Sequence, residues 1–365
     1  MANQQYKNQK KQLRFSKKEI DRAARKIRLG EVSGEEKNSE IEKVQNFREF
    51  HLYPLMLLKN HLVRTSRAVD DSIIVARRLK RLSTIIDKLE RPSLDGSNDN
   101  SIKLTRMQDI AGCRAIVKDL NDLKALQNRL IQSRSVHKIV STKNYLDPKP
   151  SGYGGVHLIY SCYRDNETAE DTPWKGSKVE VQLRTELHHA WATSLEIIDT
   201  MEKISLKTTH AGHEEWREFF SIAGKLVASD EGAIVCDDKL LNKLRVRFTQ
   251  LEAQLDVRRK LSRYRIAIDF SSRKKQNAAK SDGTFLVTVH VPQNKGKKFP
   301  VRVSHFKNEE SSEALRQLNE ADLEEGIIIA VLVSASDVST LKKAYPNYFG
   351  STQKFGKFVT KHIIN

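Results

Sequence analysis

Two short segments in the middle of the chain restrict its fold more than any other part of the sequence. Residues 145–157 read YLDPKPSGYGGVH, in which two prolines fix the backbone and three glycines let the main chain come close to another group. About twenty residues later, residues 178–185 alternate apolar and polar side chains, as a half-buried strand does. Glu180, Gln182 and Arg184 are therefore expected to project from one face of a strand.

The loop supplies the complementary groups. Tyr153 lies at its centre and is flanked by Lys149 and His157. An aromatic face can stack on a base, cations can neutralise phosphates, and a carboxylate can hold a metal ion. Together with the strand, the loop predicts a cleft that handles a nucleotide.

Length and charge indicate the class of protein. A chain of 365 residues is long enough for two or three domains. The formal net charge of +18 predicts attraction to polyanions such as nucleic acid, although a solvated basic surface is the simpler alternative. Cys113, Cys162 and Cys236 are far apart and form no C-x-x-C pair, which favours a reducing cytoplasm over a disulfide framework or a zinc ribbon.

Apolar segments are short throughout the sequence. The basic, polar N-terminus lacks the apolar stretch of a secretory signal, and no run of eighteen apolar residues occurs. We therefore expect a cytoplasmic protein with no membrane partner.

Helix signals and breaks in composition suggest how the chain is divided. Ser16-Lys-Lys-Glu19 resembles a capping box whose helix ends at Gly30, and a second start at Ser33 predicts helix to about Arg64. A basic polar linker covers residues 271–280. The fold class is predicted as α+β, with a basic helical N-terminal region (1–65), a mixed α/β domain (66–235), a connecting helix (236–270) and a small C-terminal α+β domain (271–365).

Two upstream segments carry further charged residues. Residues 71–89 are expected to form one helix, which would place Arg78, Lys80 and Lys88 on it; taken alone, this is an ordinary basic amphipathic helix. Asp109 and Arg114 flank a turn of small residues, and each alone would be a surface charge or, for Asp109, a helix cap.

The four charged segments follow a recognisable order. They resemble the synthetase domain of the RelA/SpoT family of nucleotide pyrophosphokinases over roughly residues 70–200. The matching motifs are R-x-K-x-x-x-S-I-x-x-K at 78–88 with Thr84 in the serine position, D-x-x-G-x-R at 109–114, K-P-x-G-Y-x-x-x-H at 149–157, and E-x-Q-(I/L)-R-T at 180–185.

This resemblance implies a fold and a reaction. The fold would be a nucleotidyltransferase-like mixed sheet flanked by helices. The reaction would transfer the β,γ-pyrophosphate of ATP to a ribose 3′-hydroxyl with Mg²⁺. Asp109 and Glu180 would hold the metal, because Mg²⁺ prefers carboxylate oxygens, and Glu180 would also accept the proton of the 3′-hydroxyl.

The resemblance also assigns the substrate-binding residues. Arg78 and Arg114 would sandwich the adenine of ATP, since planar guanidinium groups stack on rings. Lys80, Thr84 and Lys88 would contact the triphosphate. Tyr153 would stack under the acceptor base, and Lys149 and His157 would face the acceptor phosphates. Gln182 and Arg184 would either contact the acceptor or hydrogen-bond within the strand.

Two acceptors fit this chemistry. The 3′-CCA end of tRNA is the first expectation, as in toxic small alarmone synthetases that stop translation; the charge of +18 favours it, and so does Gly154, which stands where alarmone producers often have a cation. GDP or GTP, giving (p)ppGpp, is the alternative. A non-catalytic RNA-binding protein on the same scaffold is the third possibility.

The C-terminal region suggests how such a toxin would be controlled. By its length and position, the region after residue 270 resembles the C-terminal domain of fused, CapRel-like phage-defence proteins, which restrains the enzyme until a phage protein binds. Residues 345–349 (YPNYF) would be part of the partner surface or, alternatively, a packing cluster at a helix end.

Overall fold

A computed structural model of the chain describes nine stretches of the sequence. They are residues 8–90, 103–164, 172–202, 204, 206, 212–261, 284–292, 300–334 and 351–364. The sequence also predicts a polar loop at 93–100, a hairpin turn at 293–296 and a helix at 338–344. These three segments, the linker at 271–280 and the cluster at 345–349 lie outside the described residues.

A mixed five-stranded sheet forms the centre of the fold, in the order β1-β2-β5-β4-β3. Strands β2 and β5 are parallel, and the other neighbours are antiparallel. The strands are β1 (Ile74–Leu79), β2 (Ala111–Val117), β3 (Lys138–Asn144), β4 (Val156–Ser161) and β5 (Lys178–Thr185). With helices on both faces, this architecture confirms the predicted α+β class.

The helices of the N-terminal and central parts flank this sheet. They are α1 (Lys17–Leu29), α2 (Gly34–Phe50), α3 (Leu52–Arg67), α4 (Leu82–Glu90), α5 (Leu120–Ile131), α6 (Glu186–Met201), α7 (Glu214–Asp230) and α8 (Asp238–Leu255). The predicted capping box at Ser16 is present, and Gly30 ends α1 in the left-handed conformation with φ of 65°.

Side-chain alternation gives the sheet one apolar face and one polar face. On β5, Val179, Val181 and Leu183 are buried in the core beneath α3 and α5. Glu180 and Gln182, which alternate with them, therefore lie on the opposite face, as the sequence pattern predicts.

Two helix predictions are wrong. Residues 71–89 do not form one helix, because the β-branched residues Ile74 and Val75 lie in β1, which pairs antiparallel with β2. The helix predicted from Ser33 to Arg64 is interrupted at His51, between α2 and α3. Pro54 lies in the first turn of α3, where its missing N–H costs no helical hydrogen bond.

The C-terminal region contains a second sheet. Its strands β6 (Thr284–His290), β7 (Val301–Phe306) and β8 (Ile327–Ser334) pair antiparallel in the order β7-β6-β8. The alternating residues at 283–291 and 299–305 predict a β-hairpin, which the pairing of β6 with β7 confirms. Helix α9 (Ser311–Leu323) packs on this sheet, and α10 (Ser351–His362) packs on α6.

One apolar core joins the two sheets. Leu52 and Leu79 belong to the same buried cluster as Leu315 of α9 and Leu286 of β6. The predicted domain boundaries therefore remain a prediction. Within the described residues, no helix is both long and apolar enough to cross a bilayer.

Candidate active site

The first half of the site is a carboxylate held by two lysines. The Nζ atoms of Lys80, just after β1, and of Lys88, on α4, lie 2.8 and 3.0 Å from the carboxylate oxygens of Asp109. Burial alone would raise the pKa of Asp109, but the two ammonium groups outweigh it and lower this pKa to about 2. Asp109 is therefore ionised at neutral pH. Thr84 lies one helical turn before Lys88 on α4.

Arginine side chains extend this half across the sheet. Arg78 on β1 pairs with Gly112 on β2, which in turn pairs with Glu180 on β5. Arg114, two residues further along β2, points its Nε toward Oε1 of Gln182 at 3.4 Å. Burial and the neighbouring guanidinium groups of Arg184 and Arg78 lower the pKa of Arg114 to about 9, so it remains a cation at pH 7.

The second half is a hydrogen-bonded chain that ends at a carboxylate. The hydroxyl of Tyr153 lies 2.5 Å from Nε2 of His157, and Nδ1 of His157 lies 2.8 Å from Oε1 of Glu180. Gln182 donates to the other oxygen of Glu180 at 2.7 Å, and Arg184 donates to the Tyr153 hydroxyl at 2.9 Å.

This chain fixes the protonation pattern. Burial pushes the pKa of Glu180 upward, but the hydrogen bonds from His157 and Gln182 outweigh it, so this pKa lies below its ordinary value. With Glu180 ionised, Nδ1–H of His157 donates to it and Nε2 accepts from Tyr153. The Tyr153 oxygen is then free to accept from Arg184.

The ring of Tyr153 is held by other aromatic side chains. Tyr145 and Trp191 meet it edge-on, with centroid separations of 5.9 and 6.3 Å. The guanidinium carbon of Arg184 lies 5.1 Å from its centroid. Lys149 is exposed and lies over the Tyr145 ring at 4.0 Å. The loop thus presents a positioned ring beside a cation.

Close backbone contact with α7 holds this loop in place. A Cβ atom added to Gly152 would lie 2.2 Å from the carbonyl oxygen of Phe220, and one added to Gly224 would lie 2.0 Å from that of Gly152. Ser221 donates a hydrogen bond to the carbonyl of Pro150 at 2.7 Å. No sequence motif marks Gly224, because its role depends on a contact with a loop about seventy residues earlier in the chain.

Gly154 has a packing role that the sequence did not reveal. A Cβ atom at this position would lie 2.4 Å from Nε2 of the buried His188 on α6. Any side chain here, cationic or not, would collide with that ring. Packing therefore accounts for the absence of a side chain at position 154, and the glycine by itself does not identify the acceptor.

These residues fall within a segment that matches a known family. Residues 77–197 match the model described as the region found in RelA / SpoT proteins. We refer to this matched stretch, about a third of the chain, as the RelA/SpoT domain. GTP pyrophosphokinases YjbM and YwaC of Bacillus subtilis (strain 168) are 29% and 30% identical to this chain over 120 and 117 residues. Each match covers about a third of this chain and 52% of the relative.

Two solved structures are also similar to part of this chain. Small alarmone synthetase 1 from Bacillus subtilis, bound to its product pppGpp, matches with a TM-score of 0.37 and 25% identity, over 50% of this chain and 90% of that one. Small alarmone synthetase 2 from the same organism matches with a TM-score of 0.40 and 24% identity, over 52% and 94%.

The two carboxylates of the RelA/SpoT domain suit a magnesium ion that is shared with a substrate. Within the described residues, no group of three or more His, Cys, Asp or Glu side chains forms a metal cage. Mg²⁺ commonly takes one or two protein carboxylates and completes its shell with water and phosphate oxygens. Asp109 and Glu180 lie close enough to influence each other's charge, which fits such a site.

Below the loop of the RelA/SpoT domain lies a buried acid. Glu231, just after α7, has a carboxylate oxygen 3.1 Å from Nδ1 of His188. Burial raises the pKa of Glu231 to about 7 and lowers that of His188 to about 4. Asp230 and Asp119 raise the pKa of Glu231 further, whereas Thr185 and Lys354 lower it.

We expect this acid to make stability depend on pH. Between pH 4.5 and about 7 the folded state binds more protons at Glu231 than the unfolded chain does, so the contribution of Glu231 to stability falls as the pH rises through this window. Over this pH window the free energy of unfolding of Glu231→Gln should fall by up to about 3 kcal/mol less than that of the wild-type protein. Urea unfolding at pH 5, 6, 7 and 8 measures both pH dependences. Glu325→Gln, at an exposed residue, is the control, and an unchanged pH profile for Glu231→Gln would contradict the assignment.

A buried arginine connects the RelA/SpoT domain to the C-terminal sheet. Arg48 is 1% exposed; its Nε donates to the carbonyl of Lys80 at 2.7 Å, and its Nη1 donates to Oδ1 of Asn319 on α9 at 2.8 Å. The amide of Asn319 donates in turn to Glu49 at 2.9 Å. Arg48 and Asn319 both lie outside residues 77–197, and no sequence motif marked either of them.

Asn319→Ala should lower the free energy of unfolding by about 1–3 kcal/mol, because it leaves the buried Arg48 and Glu49 each short of a partner. Chemical denaturation measures the loss. Asn128→Ala, on the exposed side of α5, is the matched control and should change stability by less than about 0.5 kcal/mol. If the two substitutions lowered the free energy of unfolding equally, the hydrogen bonds of Asn319 to Arg48 and Glu49 would not stabilise the fold as proposed.

Proposed function

We propose that this protein transfers the β,γ-pyrophosphate of ATP to the 3′-hydroxyl of a nucleotide ribose, with AMP as the leaving group. The observation that carries the proposal is the arrangement of two complementary half-sites on adjacent strands. Gly112 of β2 pairs with Glu180 of β5, and Gln182 of β5 pairs with His157 of β4. The lysine-bound Asp109 and the Tyr153–His157–Glu180 chain thus belong to one polar face.

The donor half would bind ATP. Lys80 and Lys88 neutralise Asp109 in this structure and would pair with the triphosphate when ATP binds, with Thr84 as a further hydrogen-bonding group. Arg78 and Arg114 would hold the adenine between planar guanidinium groups. Bound at Asp109 and Glu180, Mg²⁺ would offset the negative charge that develops during transfer.

The acceptor half would bind and activate the hydroxyl group. Tyr153 would support the acceptor base, and the exposed Lys149 would face its phosphates. Glu180 is ionised and would accept the proton of the 3′-hydroxyl. Nδ1 of His157 forms a hydrogen bond with Glu180, which keeps the carboxylate oriented. Gln182 and Arg184 fix the orientations of Glu180 and Tyr153, respectively, and so act as positioning residues.

A guanosine nucleotide is the proposed acceptor. Both curated relatives are named GTP pyrophosphokinases. The tRNA 3′ end is the second candidate, because the net charge of +18 favours a long polyanion. Because packing accounts for Gly154, the net charge is the remaining observation that favours tRNA.

Label transfer tests both acceptors. The full chain is incubated with γ-labelled ATP, Mg²⁺ and either GDP, GTP or deacylated tRNA. We expect label on GDP or GTP in wild-type protein and none with Asp109→Asn. Label on tRNA alone would replace the proposed acceptor by the second candidate, and transfer to none of the three would contradict the proposed reaction.

Control of a toxin by the C-terminal region, with release by a phage protein, remains a prediction. Contacts at both half-sites support a coupling of this region to the enzyme. Asn319 reaches the carbonyl of Lys80 through Arg48. On the acceptor side, Phe355 of α10 stacks on Phe220, whose carbonyl borders Gly152, and Lys354 forms an ion pair with Glu186.

A further inference from the structure

A second cationic cleft lies at the ends of α3 and α5. It has a volume of about 630 Å³, and its cations are Arg64 at the end of α3, Arg129 near the end of α5, and Arg134 in the following loop. Thr65 and Ser133 add hydroxyl groups to the wall. No acidic side chain lines the cleft. We call it the three-arginine cleft.

The three guanidinium groups are available to a ligand. All three side chains are exposed. Among the described residues, no carboxylate or other hydrogen-bonding partner satisfies Arg64, Arg129 or Arg134. Three like charges around one concavity repel each other, and an anion bound between them would relieve that repulsion.

A buried histidine in the wall is a second and independent observation. His61 is 9% exposed, and its Nε2 has no hydrogen-bond partner among the described residues. The hydroxyl of Tyr160, whose ring meets that of His61 edge-on at 6.2 Å, is likewise buried without a described partner. Buried polar groups normally have a partner, and Nε2 of His61 is an unpaired polar atom in the wall of this cleft.

The three-arginine cleft is separate from the candidate active site. His61 and Tyr160 lie on the sheet face that α3 and α5 cover, where Tyr160 belongs to the same apolar cluster as Val181. Glu180 and His157 lie on the opposite face. A ligand in the cleft would therefore be separated from the substrates by the sheet itself.

We propose that the three-arginine cleft binds the phosphate groups of a second, polyphosphate-bearing ligand. Planar guanidinium groups match phosphate oxygens in pairs, and hydroxyl groups complete such sites. The cleft volume is in the range of nucleotide-sized pockets. A free polyphosphate and the backbone of an RNA duplex share this chemistry. The inference does not depend on the reaction proposed above.

Binding experiments distinguish the two sources of phosphate. Inorganic triphosphate and a short RNA duplex are each titrated into the full chain that carries Lys80→Ala and Lys88→Ala, which removes two cations from the other phosphate-binding site. The test variant adds Arg64→Ala, Arg129→Ala and Arg134→Ala. The matched control instead removes three exposed lysines from elsewhere (Lys124→Ala, Lys225→Ala and Lys357→Ala), so the net charge is the same.

We expect the arginine variant to lose at least about tenfold in affinity for one of the two probes, and the lysine variant to lose less than about threefold. A loss for triphosphate would assign the cleft to a free polyphosphate, and a loss for the duplex alone would assign it to a nucleic-acid backbone. Equal affinities of the arginine and lysine variants for both probes would overturn the proposal. Circular dichroism of each variant shows whether the fold is retained.

Discussion

Glu180→Gln is expected to slow pyrophosphate transfer by about 10²–10⁴-fold while the fold is retained. Glutamine has nearly the same shape as glutamate, so Gln182 and His157 keep a neighbour of similar size. It cannot accept a proton, however, and it is a poor ligand for Mg²⁺. Because the pKa of Glu180 lies below its ordinary value, the wild-type carboxylate is ionised throughout the neutral range and ready to act as a base.

The measurement is label transfer from γ-labelled ATP under single-turnover conditions, with nucleotide binding followed separately. Glu35→Gln, an exposed residue in the first turn of α2, makes the same chemical change away from the site and should leave the rate unaltered. If Glu180→Gln lost less than about threefold in rate, Glu180 would be excluded as the base. A variant that lost ATP binding but kept its rate at saturation would assign Glu180 to substrate binding instead.

Gly224→Ala is expected to reduce both stability and acceptor binding. In a helix interior, exchanging glycine for alanine ordinarily stabilises by about 0.5–1 kcal/mol. At Gly224 the added Cβ atom would lie 2.0 Å from the carbonyl oxygen of Gly152. This oxygen belongs to the backbone, so no side-chain rotation can relieve the contact. The loop that carries Tyr153 must therefore move away from α7. We expect a loss of about 1–3 kcal/mol in the free energy of unfolding.

Gly356→Ala provides a matched control, because Gly356 also lies in a helix and has open space around its Cβ position. We expect that substitution to be neutral or slightly stabilising. Chemical denaturation measures the free energies of unfolding. A titration with GDP, followed by the quenching of protein fluorescence, measures the affinity for the acceptor. Similar behaviour of the two alanine variants would show that the contact between Gly152 and Gly224 does not hold the loop.

Local sequence patterns predict the direction of a side chain where that direction depends only on the local backbone. The alternation in β5 correctly placed Glu180 and Gln182 on one face, because the period of a strand fixes the direction of each side chain. The same reasoning was wrong for residues 71–89, since periodicity alone did not distinguish Ile74–Leu79 as a strand from a buried helical segment. Pairing with β2, a long-range contact, decided that assignment.

Supporting residues were much harder to find. Arg48 and Asn319 are 271 positions apart and carry no motif, yet one hydrogen bond joins them beside Lys80. Gly224 carries no motif, and only the tertiary structure brings the backbone of Gly152 against it. The sequence predicts a missing cation at Gly154, whereas the structure places the ring of His188 where a side chain would stand.

The sequence by itself determined the chemical groups of the site, the α+β class and the order of the four motifs, because residue type and spacing are local properties of the chain. The tertiary structure decided which of these groups meet and why Gly152, Gly154 and Gly224 are required. It showed that two lysines hold Asp109 and that the Tyr153–His157–Glu180 chain is continuous. Those contacts depend on strand register and helix packing, which join residues far apart in the sequence.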